Sequence, residues 1–216
     1  QLTTVIEVDV TKVAALRARS KDAFLATHGT KLTFLPFFVK AATEALAYHP
    51  KINATINDKE VTYFDHEHVG IAVDTPRGLL VPVMKNAGEK DIPAIAASIN
   101  DLAARTRDSK IGPDELSGST FTVTNTGSGG ALFDTPVLNM PTPMIAVSGM
   151  FRTGVSKRAP PEPVFVTVKV EPDSSSGPIL ESRVRAARSL IDAAIPGMSF
   201  SPAFLMTGTS RPRGVS

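Results

Sequence analysis

The stretch STFTVTNTGSGGALF, residues 119–133, concentrates side chains able to handle a ligand. An alternating strand carries Thr122 and Thr124, then Asn125, and runs into a segment holding Gly127, Ser128, Gly129 and Gly130. Hydroxyls and an amide supply neutral hydrogen-bond donors, and glycines let a backbone approach a ligand with no Cβ in the way. The plainer reading is two β-branched residues on the outer face of a strand, followed by a polar turn. TGSGGA lacks the lysine of a P-loop and the spacing of a dinucleotide fingerprint, so a phosphate cradle is not indicated. Asp65, His66 and His68 in DHEHV could supply metal ligands, but no third and fourth partner is evident and a solvated turn explains them. His28 and His49 stand at the ends of predicted helices, where a helix dipole favours them. Asp74 closes VGIAVD before a turn, a usual place for a turn-initiating aspartate. With no cysteine in 216 residues, disulfides, thiolate nucleophiles and thiolate metal sites are excluded, and any thiol chemistry uses a partner's thiol.

These residues need elements to hold them. TTVIEVDV alternates as a half-buried strand, and Asp9 or Thr11 offers a cap to the helix VAALRARSKDAFLAT, which ends at Gly29. KLTFLPFFVKAATEALAYH, with Pro36 in its first turns and a stop before Pro50, has the apolar spacing of a core helix. INATIN, EVTYFD and HVGIAVDT read as strands, as does GLLVPVMK after the turn signal Pro76-Arg77-Gly78, and together they predict a largely antiparallel sheet. DIPAIAASINDLAARTRDSK has a helical period and a basic C-terminal end. Runs of strands interrupted by long helices predict an α/β sandwich with helices laid on a mixed sheet. Beyond residue 137 the texture changes: ten of the 17 prolines fall in the last 80 residues, with SSSG and APPEP. VFVTVKVE still alternates as a strand, and SRVRAARSLIDAAI has a helical pattern.

The hydrophobic share of 42% is enough for a real core, whereas a formal charge of +2 and 6% aromatics argue against a nucleic-acid partner. No apolar run reaches the length of a membrane span and no signal peptide is visible, so a cytoplasmic location is expected.

KLTFLPFFVKA, HPKINA, VGIAVDTPRGLLVPV and DELSGSTFTVTNTGSGGALFDTPV, in this order and spacing, resemble the catalytic domain of the dihydrolipoamide acyltransferases, the core subunits of 2-oxo acid dehydrogenase complexes. The resemblance covers residues 1–137. It implies a chloramphenicol acetyltransferase-like two-layer sandwich, here one catalytic domain over residues 1–216, assembled as homotrimers with active sites between subunits. It also implies passage of an acyl group between the dihydrolipoyl thiol of a lipoyl domain and coenzyme A, in company with the 2-oxo acid dehydrogenase and dihydrolipoamide dehydrogenase. Neither a lipoyl domain nor a peripheral-subunit-binding domain is visible in this sequence. FDTPV after GALF is closer to acetyl- and succinyl-transferring bacterial members than to branched-chain ones, and acetyl transfer is the preferred expectation. A small-molecule acetyltransferase shares the fold but fits LTFLPFFVKA and DELSG less well.

The family places a serine or threonine at the position of Thr124, so the resemblance makes the Thr124 hydroxyl the donor to the oxyanion that forms as a thiolate attacks a thioester. It places Asn125, Ser128, Asp74, Thr33 and Arg17 at positions that contact coenzyme A. For Asp74 the expected act is to orient a donor or pair with an arginine, and for Arg17 to bind phosphate. Arg17 stands one residue off the family spacing to Thr33, and Arg19 is its substitute. The sequence also departs from the family. The Asp-His-Arg motif that supplies the general base belongs near residues 180–195, where SRVRAARSLIDAAIPG stands, and no histidine follows His68. Loss of such a base removes about two to four orders of magnitude in rate, which opens a second reading as a trimeric assembly scaffold.

Overall fold

The computed structural model describes residues 2–56, 60–125, 145–150 and 164–170. Its centre is a six-stranded sheet in the order β1-β10-β9-β8-β4-β7. β1 (Leu2–Val8) runs antiparallel to β10 (Val164–Val170), which runs antiparallel to β9 (Ile145–Met150). β8 (Phe121–Asn125) lies parallel to both β9 and β4 (Val69–Ile71), and β7 (Val83–Met84) closes the edge antiparallel to β4. The sheet is therefore mixed, as the alternation of strand runs and helices predicts.

Two helices cover one face. α2 (Leu35–Tyr48) starts with Pro36 in its first turn, where a missing N–H costs nothing, and buries Phe38, Val39, Ala42, Ala45 and Leu46. Its buried Thr43 is satisfied by donating to the Lys40 carbonyl at 2.9 Å. α3 (Ile92–Arg107) is capped by Asp91, whose carboxylate accepts the Ala94 N–H at 2.8 Å, and it ends with Arg105 and Arg107 toward the negative pole of its dipole. Both helices pack with Val69 and Ile71 of β4 and Phe121 and Val123 of β8 into one apolar core. Each large side chain buried there contributes roughly 1.5–3 kcal/mol. α1 (Thr11–His28) ends at Gly29, whose φ of 65° is left-handed and whose N–H reaches the Leu25 carbonyl at 2.9 Å. Ahead of it, Asp9 accepts from the Thr11 N–H at 2.8 Å. None of the 18 residues of α1 is buried within the protomer.

The largely antiparallel sheet expected from the middle strands is corrected in its particulars. INATIN and EVTYFD pair only with each other, as the hairpin β2 (Ala54–Ile56) and β3 (Val61–Tyr63). HVGIAVDT breaks at Ala72 into β4 and β5 (Val73–Thr75), and GLLVPVMK breaks at Val81-Pro82 into β6 (Gly78–Leu80) and β7. β5 and β6 form a third, separate hairpin. The break has a local cause, because Pro82 has no N–H for a ladder. Its carbonyl instead accepts the Ile71 N–H at 2.9 Å, while the Ala72 N–H turns to Val123 of β8 at 3.1 Å. VFVTVKVE is β10 as expected, and IAVSGM forms β9, which its pattern did not announce. The helical pattern SRVRAARSLIDAAI lies outside the described residues.

Candidate active site

β8 alternates cleanly. Phe121 and Val123 are buried under the helices, so Thr122 and Thr124 occupy the opposite face, each half-buried. Neither hydroxyl has a hydrogen-bond partner among the described residues. Among the described residues Thr124 thus presents an unused donor near the C-terminal end of its strand, held in place because Val123 before it is fixed in the core. Asn125 follows, half-buried, with its Oδ1 buried. Ser128 and the glycines at 127, 129 and 130 lie outside the described residues.

Because β4 and β8 are parallel, their C-terminal ends share one edge of the sheet. Ile71 pairs with Val123, so the chain that leaves β4 toward Asp74 does so at the level of Thr124 and Asn125. Asp74 sits within β5 opposite Leu79, and its side chain is exposed. The expected arginine partner is not found for it among the described residues. A carboxylate in a two-residue-spaced hairpin facing water needs none.

Arg17 and Thr33 come together at a different place. The Arg17 Nε donates to the Leu32 carbonyl at 2.8 Å, and its guanidinium carbon lies 5.0 Å from the centre of the Phe34 ring. Thr33, exposed, stands between those two contacts in sequence. Stacking and one hydrogen bond fix the plane of the guanidinium and leave its terminal nitrogens to meet an anion. Arg19, the substitute considered for it, is fully on the exposed side of α1.

The histidines lie elsewhere. His66 and His68 have ring centres 4.0 Å apart in the link between β3 and β4, and the His66 Nδ1 contacts Asp65 at 2.7 Å. His68 accepts the Asn86 N–H on its Nδ1 at 3.1 Å, so its proton resides on Nε2. Burial, then the nearby His66 and Lys85, hold its pKa below the ordinary histidine value. The His68 carbonyl accepts from the N–H groups of Thr120 and Phe121, at 2.7 and 3.2 Å. That puts His68 at the far end of β8, roughly 10–13 Å from Thr124 along the strand. It is not a base for its own protomer's Thr124. Asp65 is held below the usual carboxylate range by its hydrogen bond with His66.

One group went unnoticed in the sequence. Glu115, in the DELSG segment that leads into β8, binds Arg105 of α3 through both oxygens, at 2.7 and 2.9 Å, and accepts the Gly112 N–H at 3.2 Å. Arg105 also holds Asp101 at 2.8 Å. The Arg105 hydrogen bonds, then that of Gly112, lower the Glu115 pKa, and Glu115 followed by Asp101 raises that of Arg105. The spacing of Asp101 and Arg105 reads as a helical i,i+4 pair, but nothing local connects Glu115 to them.

A profile of the family described as 2-oxoacid dehydrogenases acyltransferase (catalytic domain) matches residues 1–161. The chain is 57% identical over 143 residues to the dihydrolipoyllysine-residue acetyltransferase component of the pyruvate dehydrogenase complex of Mycobacterium bovis, which covers 65% of the chain and 26% of that protein. It is 44% identical over 151 residues to the mouse mitochondrial dihydrolipoyllysine-residue succinyltransferase component of the 2-oxoglutarate dehydrogenase complex, covering 69% of the chain and 33% of that protein. The chain thus spans about a quarter to a third of the length of these relatives. In three dimensions it is similar, at TM-score 0.76 and 28% identity over 89% of the chain and 80% of the other, to the dihydrolipoamide acetyltransferase of Azotobacter vinelandii. That structure was used to investigate one serine, one histidine and one asparagine in the enzyme's catalytic mechanism.

Proposed function

Because the chain belongs to the 2-oxoacid dehydrogenase acyltransferase catalytic-domain family, we propose that residues 1–216 form a catalytic core transferring an acetyl group between the dihydrolipoyl thiol of a lipoyl domain and coenzyme A. The observation that carries this reading is the Thr124 hydroxyl, without a hydrogen-bond partner among the described residues and set at the sheet edge that it shares with Asn125 and the route to Asp74. Identity favours acetyl over succinyl transfer, at 57% against 44%. In the reaction a thiolate sulfur bonds to the thioester carbon, and the carbonyl π electrons move to oxygen. The Thr124 O–H donates to that oxyanion, and collapse expels the other sulfur as thiolate. The terminal nitrogens of Arg17, steadied by Leu32 and Phe34, meet the phosphates of coenzyme A, with Thr33 beside them, and Asp74, Asn125 and Ser128 line its path. The lipoyl-lysine arrives on a separate domain, the 2-oxo acid dehydrogenase and dihydrolipoamide dehydrogenase are the partner enzymes, and the core is a cytoplasmic homotrimer with its sites between subunits. An 18-residue helix with no buried residue supports that assembly, since α1 touches the protomer's core through the half-buried Val13 and leaves most of its surface for a neighbour. No described helix is long and apolar enough to cross a membrane.

One observation favours a second reading. The sequence holds no histidine after His68, and His68 stands at the wrong end of β8 to serve Thr124 of its own protomer. A core without a base is a trimeric scaffold that seats partner enzymes and turns over slowly. The deciding experiment measures transfer from acetyl coenzyme A to dihydrolipoamide, with sedimentation as the control for assembly. Thr124→Ala is expected to lower the rate a hundredfold or more, the cost of about 3–4 kcal/mol for a lost oxyanion donor, and Thr124→Ser to restore most of it. A parent trimer with only background transfer would leave the scaffold. An active parent indifferent to Thr124→Ala would remove this residue from the mechanism.

A further inference from the structure

The two histidines between β3 and β4 play no part in the proposed transfer, yet they form a pair. Their ring centres lie 4.0 Å apart, with the planes inclined by 42°. The His66 Nδ1 stands 2.7 Å from the Asp65 carboxylate, and the Asn86 N–H is donated to the His68 Nδ1 at 3.1 Å. The second contact needs a bare nitrogen, so it exists only while His68 is neutral with its proton on Nε2. That tautomer leaves His68 no free ring nitrogen for a metal. Asn86 stands at a demanding point of the chain. It is one of two non-glycine residues with a positive φ among the described residues, at 50°, and it turns the chain from β7 into the helical turn Ala87–Glu89. The next N–H, that of Ala87, bonds the Glu67 carbonyl at 2.8 Å. Two successive amides of the turn are thus held by two neighbouring residues of the histidine link. Only one of the two bonds depends on a proton, because the Ala87 bond joins backbone groups.

We infer that the stacked His66–His68 pair is an acid-operated latch on this turn: a proton on His68 converts its Nδ1 from acceptor to donor, breaks the bond from Asn86 and frees that amide. His66 sets the threshold, since two unit charges at this separation repel and the pair takes up its protons in separate steps. The charged and titratable groups facing His68 are His66 and Asp65 on its own link and Lys85 just beyond β7, while β8 brings only Thr120 and Phe121 to it. The Glu67 carboxylate lies over Gly88 instead. Burial, then His66 and Lys85, oppose a charge on His68, and the Glu67 carbonyl and Asp65 favour one. The latch opens locally. Ala87 stays fully buried, at 0% exposure, and Lys40 of α2 still donates to the Gly88 carbonyl at 3.2 Å.

The test follows both imidazoles and the Asn86 and Ala87 amides by NMR on the full deuterated chain between about pH 8 and 5. Amide exchange is corrected for its intrinsic pH dependence and read as protection. Asn86 is expected to lose protection by up to about tenfold per pH unit as His68 charges, the slope of one linked proton, while Ala87 keeps its own. His68→Asn leaves an acceptor that does not titrate, and is expected to make Asn86 protection flat over this range. His66→Gln removes the neighbouring charge and is expected to raise the His68 midpoint by roughly half a unit or more. Asn86 protection that stays level through the His68 titration, or that falls equally in His68→Asn, would overturn the latch. So would Asn86 and Ala87 opening together, which marks a general loosening of the link. A His68 midpoint indifferent to His66→Gln would overturn the role given to the pair. None of these readings passes through acyl transfer, so the proposed function stands or falls separately.

Discussion

Phe121 offers the sharpest test of how the site is held. It is fully buried, at 0% exposure, pairs with Val69 on the neighbouring parallel strand and stands three residues before Thr124. Replacing it by alanine removes a whole ring from the core between the sheet and the two helices. The surrounding elements relax only partly, so the expected loss is about 3–5 kcal/mol, transfer term and cavity term together. Against a total stability of roughly 5–15 kcal/mol this is a large fraction. For a chain of this size each kcal/mol moves the midpoint by about 2–4 °C, so a fall of roughly 6–20 °C is expected. Tyr63, 58% exposed on the β2–β3 hairpin, gives the contrast. Truncating it is expected to cost less than about 0.5 kcal/mol unless a neighbouring subunit covers it. Guanidinium unfolding followed by circular dichroism, with calorimetry alongside, measures both. A Phe121→Ala loss below about 1 kcal/mol would refute the placement of β8 in the core, and with it the argument that Thr124 is held rigidly on the opposite face.

Two further outcomes follow from single contacts. The His68 pKa is depressed in the fold, so the unfolded chain takes up its proton first as the pH falls. The stability that neutral His68 provides is complete above its unfolded value of about 6.5 and is lost as the pH drops from there toward the folded value. Protonation also turns the Nδ1 acceptor of the Asn86 N–H into a donor. Unfolding measured between about pH 7.5 and 5 should show this slope in the parent and a flatter one in His68→Asn; equal slopes would dismiss His68 as its source. Asp91→Ala, which deletes the α3 cap, is expected to cost about 1 kcal/mol by thermal unfolding, and Asp91→Asn only a few tenths, since an amide oxygen still accepts the Ala94 N–H.

The elements that could be read without the structure share one property, that their signal is local. α2 and α3 announce themselves by apolar residues at helical spacing, by Pro36 near the start of the first and by the basic end of the second, and β8 by its strict alternation. α1 was legible from Gly29 as a stop, although it has little apolar face to show. What misled was contiguity. HVGIAVDT and GLLVPVMK each look like one strand, but each divides between the main sheet and a hairpin, because Pro82 cannot join a ladder and Ala72 finds its partner on β8. β9 was hidden for the opposite reason. Its strand state depends on being clasped between β8 and β10, which are remote from it in sequence.

The same division holds for the site. Residue types and order sufficed to point to the strand-end hydroxyls and the neighbouring amide, since side-chain chemistry is carried by the residue itself, and the family resemblance of the four motifs singled out Thr124 and the cationic Arg17. Tertiary structure alone decided which of them stand free and which are occupied. It alone tied Arg17 to the Leu32 carbonyl, moved His68 to the far end of β8 and bound Glu115 to Arg105. Those relations arise where chain segments tens of residues apart are pressed together by burial of one shared core, and the spacing within any single segment carries no record of its neighbour.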